Sequence, residues 1–168
     1  MTTARKRKTE PAGPARLSDT LLQPVLGYQI AQASVIANRI YDQAVGQPRE
    51  LHRLEYSLLM LVRENPGCTA SGLSKSLGIS MPNVVLWLDR VSAKGLIERE
   101  PSQSDRRSNH LRLTAQGEAE ASAASAALIE AEAAGLAALS FGERAILIEL
   151  LHKMALLGST ASGAGDAD

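Results

Sequence analysis

Residues 69–114 read TASGLSKSLGISMPNVVLWLDRVSAKGLIEREPSQSDRRSNHLRLT, and the punctuation of this stretch decides the fold. Thr69 suits an N-cap, and Leu73 and Leu77 behind it fall on one face of a short helix. Gly78 stops that helix and Ile79 plugs the turn. Ser80 caps the next helix, with Pro82 in its first turn, where a missing N–H does no harm. Val84, Trp87, Leu88 and Val91 follow at i, i+3, i+4 and i+7, which marks them as the buried face. Lys94-Gly95 closes the helix. Residues 96–99 and 110–113 are short strand candidates around a polar loop, 101–109, that carries Asp105, Arg106 and Arg107. A helix, a tight turn, a second helix and a basic hairpin in this order predict a winged helix-turn-helix.

Outward from this stretch the chain reads as helix. Residues 51–64, LHRLEYSLLMLVRE, turn their leucines inward, and Asn65-Pro66-Gly67 breaks the run. Upstream, Ser18 or Asp19 can cap a helix whose apolar residues, from Val25 to Ala44, recur three and four apart until Gly46 and Pro48. Its length of more than twenty residues exceeds what a small domain needs, so its apolar stripe calls for a second subunit. Downstream, Thr114 caps a long alanine-rich helix, and Ser140 with Glu143 forms a capping box ahead of a last apolar helix. The fold class is therefore mainly α with a small β wing: a winged helix-turn-helix lobe over about 51–114, plus a helical dimerisation region over about 18–46 and 114–157. Residues 1–17 read as a disordered basic tail and 158–168 as a flexible one.

Composition narrows the partners. The formal net charge is zero, so the chain is not uniformly basic, but its charge is unevenly placed. Arg5, Lys6, Arg7, Lys8 and Arg16 face only Glu10 in the first segment, whereas 114–139 holds four glutamates and no Lys or Arg. The basic tail is either a solubilising segment or an arm on DNA phosphates. One cysteine, Cys68, excludes an intramolecular disulfide and points to a reducing cytoplasm. No secretory signal and no membrane-spanning run is apparent, which predicts a soluble cytoplasmic protein. Three histidines without metal-ligand spacing, and the lack of a Gly-rich phosphate loop, GxSxG or HExxH, argue against an enzyme, a metal site or a cofactor.

With Val84, Trp87, Leu88 and Val91 inward, Met81, Asn83, Val85, Leu86 and Arg90 turn outward or to the rim. Asn83 can bond adenine N6 and N7 together, and Val85 can pack on a thymine methyl. Arg90 and Lys94 suit phosphates, and Ser80 stands where helix N–H groups can hold one. Ser71, Ser74 and Lys75 are candidate backbone contacts. Arg106 and Arg107 fit insertion of the wing into a narrow A·T minor groove. Trp87 is expected in the core. Cys68 is either a structural thiol or one whose pKa the nearby helix N-terminus lowers.

The spacing of LHRLEYSLLMLVRENPGCT, LSKSLGIS, DRVSAKGLIERE, DRR and LRLTAQGE resembles the MarR family of bacterial transcription regulators, over roughly residues 20–157. The resemblance implies a symmetric homodimer joined through the first and last two helices, a palindromic double-stranded DNA operator, and repression released by a small ligand. By the family's habits that effector is an aromatic acid or its thioester. Asp105, with the family's Asp-Arg-Arg motif, would hold the wing tip in shape. The effector pocket would draw on Tyr28, Ser34, Asn38, Arg39, His52, Arg53 and Tyr56. Val85 and Leu86 depart from the family, many members of which place Thr and Arg there. Two readings stay open: a ligand-released dimeric repressor, and a winged-helix protein-interaction module that no longer binds DNA.

Overall fold

The computed structural model describes residues 17–101 and 109–162. In chain order these form α1 (Leu26–Tyr41), a π-helical turn (Asp42–Gly46), α2 (Arg53–Glu64), α3 (Ala70–Leu77), α4 (Met81–Ala93), β1 (Ile97–Pro101), β2 (Asn109–Leu113), α5 (Ala115–Gly135) and α6 (Phe141–Ser162). The chain divides into two compact units, Met1–Ile36 and Ala37–Asp168. In the first, the backbone N–H groups of Leu22 and Gln23 donate to the Asp19 carbonyl, a turn that carries Pro24 just ahead of α1. Tyr28 Oη donates to Asp19 Oδ2 over 3.3 Å.

The second unit holds the core. Tyr41, Val45, Leu51, Leu58, Leu59, Val62, Leu73, Val84, Leu88, Val91, Leu96, Ile97 and Leu111 are buried together with Ala121 and Ala124. The helix expected to run unbroken to Gly46 instead widens after Tyr41 into a π-helical turn, in which Gln47 N–H donates to the Asp42 carbonyl at 2.8 Å. Helix α2 starts at Arg53 rather than Leu51. His52 is its cap: Nδ1 accepts from Leu54 N–H, and His52 N–H donates to Glu55 Oε2 at 2.8 Å. Thr69 caps α3 through Gly72 N–H, and Gly78 ends it in the left-handed conformation. Ser80 occupies the N-cap of α4, yet its hydroxyl makes no capping bond, contrary to expectation. β1 and β2 pair antiparallel with Ile97 opposite Leu113 and Arg99 opposite Leu111. A bridge from Cys68 to Leu111 extends the pairing.

Helix α5 docks by small residues. Ala121 and Ala124 are fully buried, so alanine supplies close approach where the sequence shows only a weak apolar stripe. Its first turn is pinned by Thr114, whose hydroxyl donates to the Gly95 carbonyl at 2.7 Å and accepts from Gly117 N–H at 3.0 Å. The capping box between Ser140 and Glu143 opens α6. Most apolar side chains of α6 face outward, Phe141 at 83% exposure and Ile148 at 69%. Among the described residues no helix is long and apolar enough to cross a membrane.

A Cβ on Gly117 would fall on the Leu96 carbonyl oxygen and within 2.9 Å of its carbon. Backbone cannot swing aside as a side chain does, so Gly117→Ala is expected to destabilise the chain by ~2–4 kcal/mol. A lower urea midpoint at unchanged slope checks this, and an unchanged midpoint refutes it.

Candidate nucleic-acid interface

Helix α4 separates its residues cleanly. Val84, Leu88 and Val91 are buried, while Met81, Asn83, Val85, Leu86 and Arg90 are exposed on the opposite side and rim. The turn before it is braced by Ser74, whose Oγ donates to the Ile79 carbonyl at 2.7 Å. That hydroxyl is therefore engaged within the motif, whereas Ser71, Lys75 and Ser80 stand exposed. The hairpin is tied to α4 by Arg99, whose guanidinium meets Asp89 Oδ1 at 2.6 Å. Across the strands Arg112 pairs with Glu100 at 3.1 Å. Asp105, Arg106 and Arg107 lie outside the described residues. Between α3, α4 and the sheet runs a cavity of about 310 Å³, lined in part by Ser71, Met81, Val85, Arg99 and Asn109.

The other end of α4 is built differently. Lys94, expected at a phosphate, instead donates from Nζ to the carboxylate of buried Glu55 and to the Glu50 carbonyl, both at 2.7 Å. Glu50 takes a φ of +50°, unusual for a residue with a side chain, and so turns that carbonyl to Lys94. Trp87 is half-buried rather than a full core residue. His52 stacks on it with centroids 4.2 Å apart and planes 13° from parallel, and Arg90 Cζ lies 4.5 Å from the ring centroid. An open cavity of about 430 Å³ adjoins this cluster, lined by Glu50, His52, Glu55, Arg90, Ala93 and Lys94.

The seven residues proposed for an effector are divided between the two units. Tyr28 and Ser34 belong to the first unit, where Ser34 Oγ donates to the Ala31 carbonyl. In the second unit Asn38 and Arg53 are half-buried and Arg39 exposed. Tyr56 shares a hydrogen bond of 2.9 Å with Ser125 and packs its ring 5.9 Å from that of Tyr41. His52 serves as cap and stacking partner of Trp87. Two participants escaped sequence reasoning: Glu55, because His is rarely read as a cap, and the Asp89–Arg99 tie, because ten residues and a turn separate the partners. For Cys68, burial pushes the thiol pKa up against a weaker opposing hydrogen bond. Of the two readings of Cys68, this desolvation favours the structural thiol over one acidified by the helix N-terminus.

The MarR family model matches residues 51–108. A curated relative, a putative transcriptional regulatory protein for the hcr operon of Thauera aromatica, is 26% identical over 89% of this chain and 92% of its own length. Among solved structures, the transcriptional repressor CouR bound to a 23-mer DNA duplex is 30% identical, with a TM-score of 0.78 over 84% of this chain and 99% of CouR. A MarR family protein of Mycobacterium tuberculosis in complex with p-aminosalicylic acid is 25% identical, with a TM-score of 0.62 over 77% of this chain and 98% of its own.

Lys94→Met leaves the Glu55 carboxylate buried without its ammonium partner, a loss of about 3 kcal/mol. Denaturation of this variant and of Glu55→Gln/Lys94→Met should show the double variant recovering part of the loss; equal stabilities of all forms would refute the pairing. At pH 8, iodoacetamide is expected to label Cys68 more slowly in the native chain than in urea, because the raised pKa leaves less thiolate. Equal rates would count against this.

Proposed function

The chain belongs to the MarR family and is a transcriptional regulator of MarR type, and we propose that it acts as a homodimer that represses at a palindromic operator and is released by a small aromatic acid or its thioester. The observation that carries this reading is the division of α4 into a buried stripe and an exposed face headed by Met81, Asn83, Val85 and Leu86. An α-helix so exposed can enter the major groove, with Asn83 on adenine and Val85 against a thymine methyl. Ser71, Lys75, Ser80 and Arg90 would contact phosphates, with Ser74 bracing the turn between the helices. Arg106 and Arg107 would reach the minor groove, and Asp105 would shape the wing tip.

The dimer is supported by α6. Its middle is apolar nearly all round, and Ile146, Ile148 and Leu150 are exposed in the single chain. Such a helix belongs in a core, and a second copy would supply the missing half. The effector is supported by kinship: the M. tuberculosis relative holds p-aminosalicylic acid. Asn38, Arg39, Arg53 and Tyr56 offer the cation, amide and phenol that an aromatic carboxylate would engage. Val85 and Leu86, 43% and 48% exposed, favour a second reading, an interaction module that meets a protein instead of DNA.

A gel shift on the DNA flanking the gene separates the two. The regulator is expected to bind as a two-chain particle by sedimentation, less tightly as salt rises, and to let go when p-aminosalicylate or a related acid is added. Arg106→Ala and Arg107→Ala should each weaken binding roughly tenfold or more with the dimer intact. Binding untouched by either substitution would remove the wing from the reading. No binding at moderate salt would favour the interaction module.

A further inference from the structure

Three flat groups, from His52, Trp87 and Arg90, pack together beside the C-terminal half of α4. We propose that Trp87, steadied by His52, is a positioning residue that aims the Arg90 guanidinium at a phosphate of the operator. This rests on the reading that α4 enters the major groove.

Reach is the first argument. Arg90 lies nine residues beyond Met81, about 13 Å along the helix axis, and the groove is roughly 12 Å wide, so the Arg90 side chain stands over the flanking backbone when the start of α4 meets bases. Charge is the second. Lys94, the neighbouring cation on this strip of the helix, is committed to Glu55 and the Glu50 carbonyl. The Arg90 guanidinium has neither an ion pair nor a hydrogen bond among the described residues, although Glu50 and Glu55 line the same cavity. Its partner among the described residues is the indole face, which leaves the guanidinium edge and its N–H donors for a phosphate. Order is the third. A free arginine must give up many rotamers when it binds, and stacking on a fixed ring removes much of that loss beforehand. The ring is itself fixed: His52 is held by its bonds with Leu54 and Glu55 and lies flat against it.

The test is a set of binding titrations on the flanking-DNA duplex between about 50 and 200 mM salt. Arg90→Ala should weaken binding roughly fivefold or more and flatten the log–log salt dependence by about one phosphate contact. Trp87→Leu keeps the charge, and yet should lose most of the same affinity and flatten the slope alike. Trp87→Phe retains an aromatic face and should restore both. Arg90→Lys keeps charge without a stacking plane and should fall between wild type and Arg90→Ala. His52→Asn preserves an N-cap while removing the stacked ring, and should weaken binding in the same direction. In the double variant Trp87→Leu/Arg90→Ala the losses should not add. A merely structural Trp87 would lower the active fraction and leave the slope alone, which overturns the proposal, as would additive losses. Tighter binding by Trp87→Leu would mean that the indole withholds Arg90, and overturns it too. Failure of the wild-type chain to bind at any salt removes the functional reading and this proposal together; binding by wild type with an unchanged slope in Trp87→Leu removes the proposal alone.

Discussion

Glu55 is 3% exposed and carries a charge that nothing but its partners can justify. It accepts the His52 N–H and the Lys94 ammonium, and Lys94 in turn reaches the Glu50 carbonyl. One carboxylate thereby joins the start of α2, the end of α4 and the turn ahead of α2. The knot gives α4 a directional tie to the core beside its aliphatic packing, which is non-directional. A strained φ at Glu50 is tolerated for the carbonyl it delivers.

From that anchor the charge distribution around α4 follows. With Lys94 committed inward, Arg90 is left as the exposed cation of the helix's C-terminal half, and Trp87 becomes its platform instead of filling the core. At the other side of the helix Asp89 and Arg99 bind β1 to α4. The second unit also ties α5 in by polar contacts, Arg49 to Glu120 and Tyr56 to Ser125. Its apolar contacts run through α2, α4, the sheet and two alanines of α5.

Much of this was legible in the chain itself. The caps Thr69, Thr114 and Ser140, the left-handed stop at Gly78, and the Val84–Leu88–Val91 stripe are all local features. They rest on spacings of three and four residues that helix geometry translates directly. The MarR kinship was legible too, since its signature lies in contiguous segments. Less legible were His52 as a cap and the π-helical turn after Tyr41. Capping rules favour small polar side chains, and an extra residue in a helical turn leaves no periodic mark.

The sequence by itself therefore determined the order of the elements, the caps of α3 and α5, and which face of α4 looks outward, because all of these are set by neighbours within one or two turns. Only the tertiary structure decided what Lys94, Trp87 and Cys68 do. Lys94 meets Glu55 across 39 residues and Arg49 meets Glu120 across 71, separations over which composition and periodicity carry no information about pairing. Cys68 owes its raised pKa to burial beside Leu111, which depends on where β2 returns. Charges and aromatic faces act through contact and desolvation, and those exist only once distant segments are packed together.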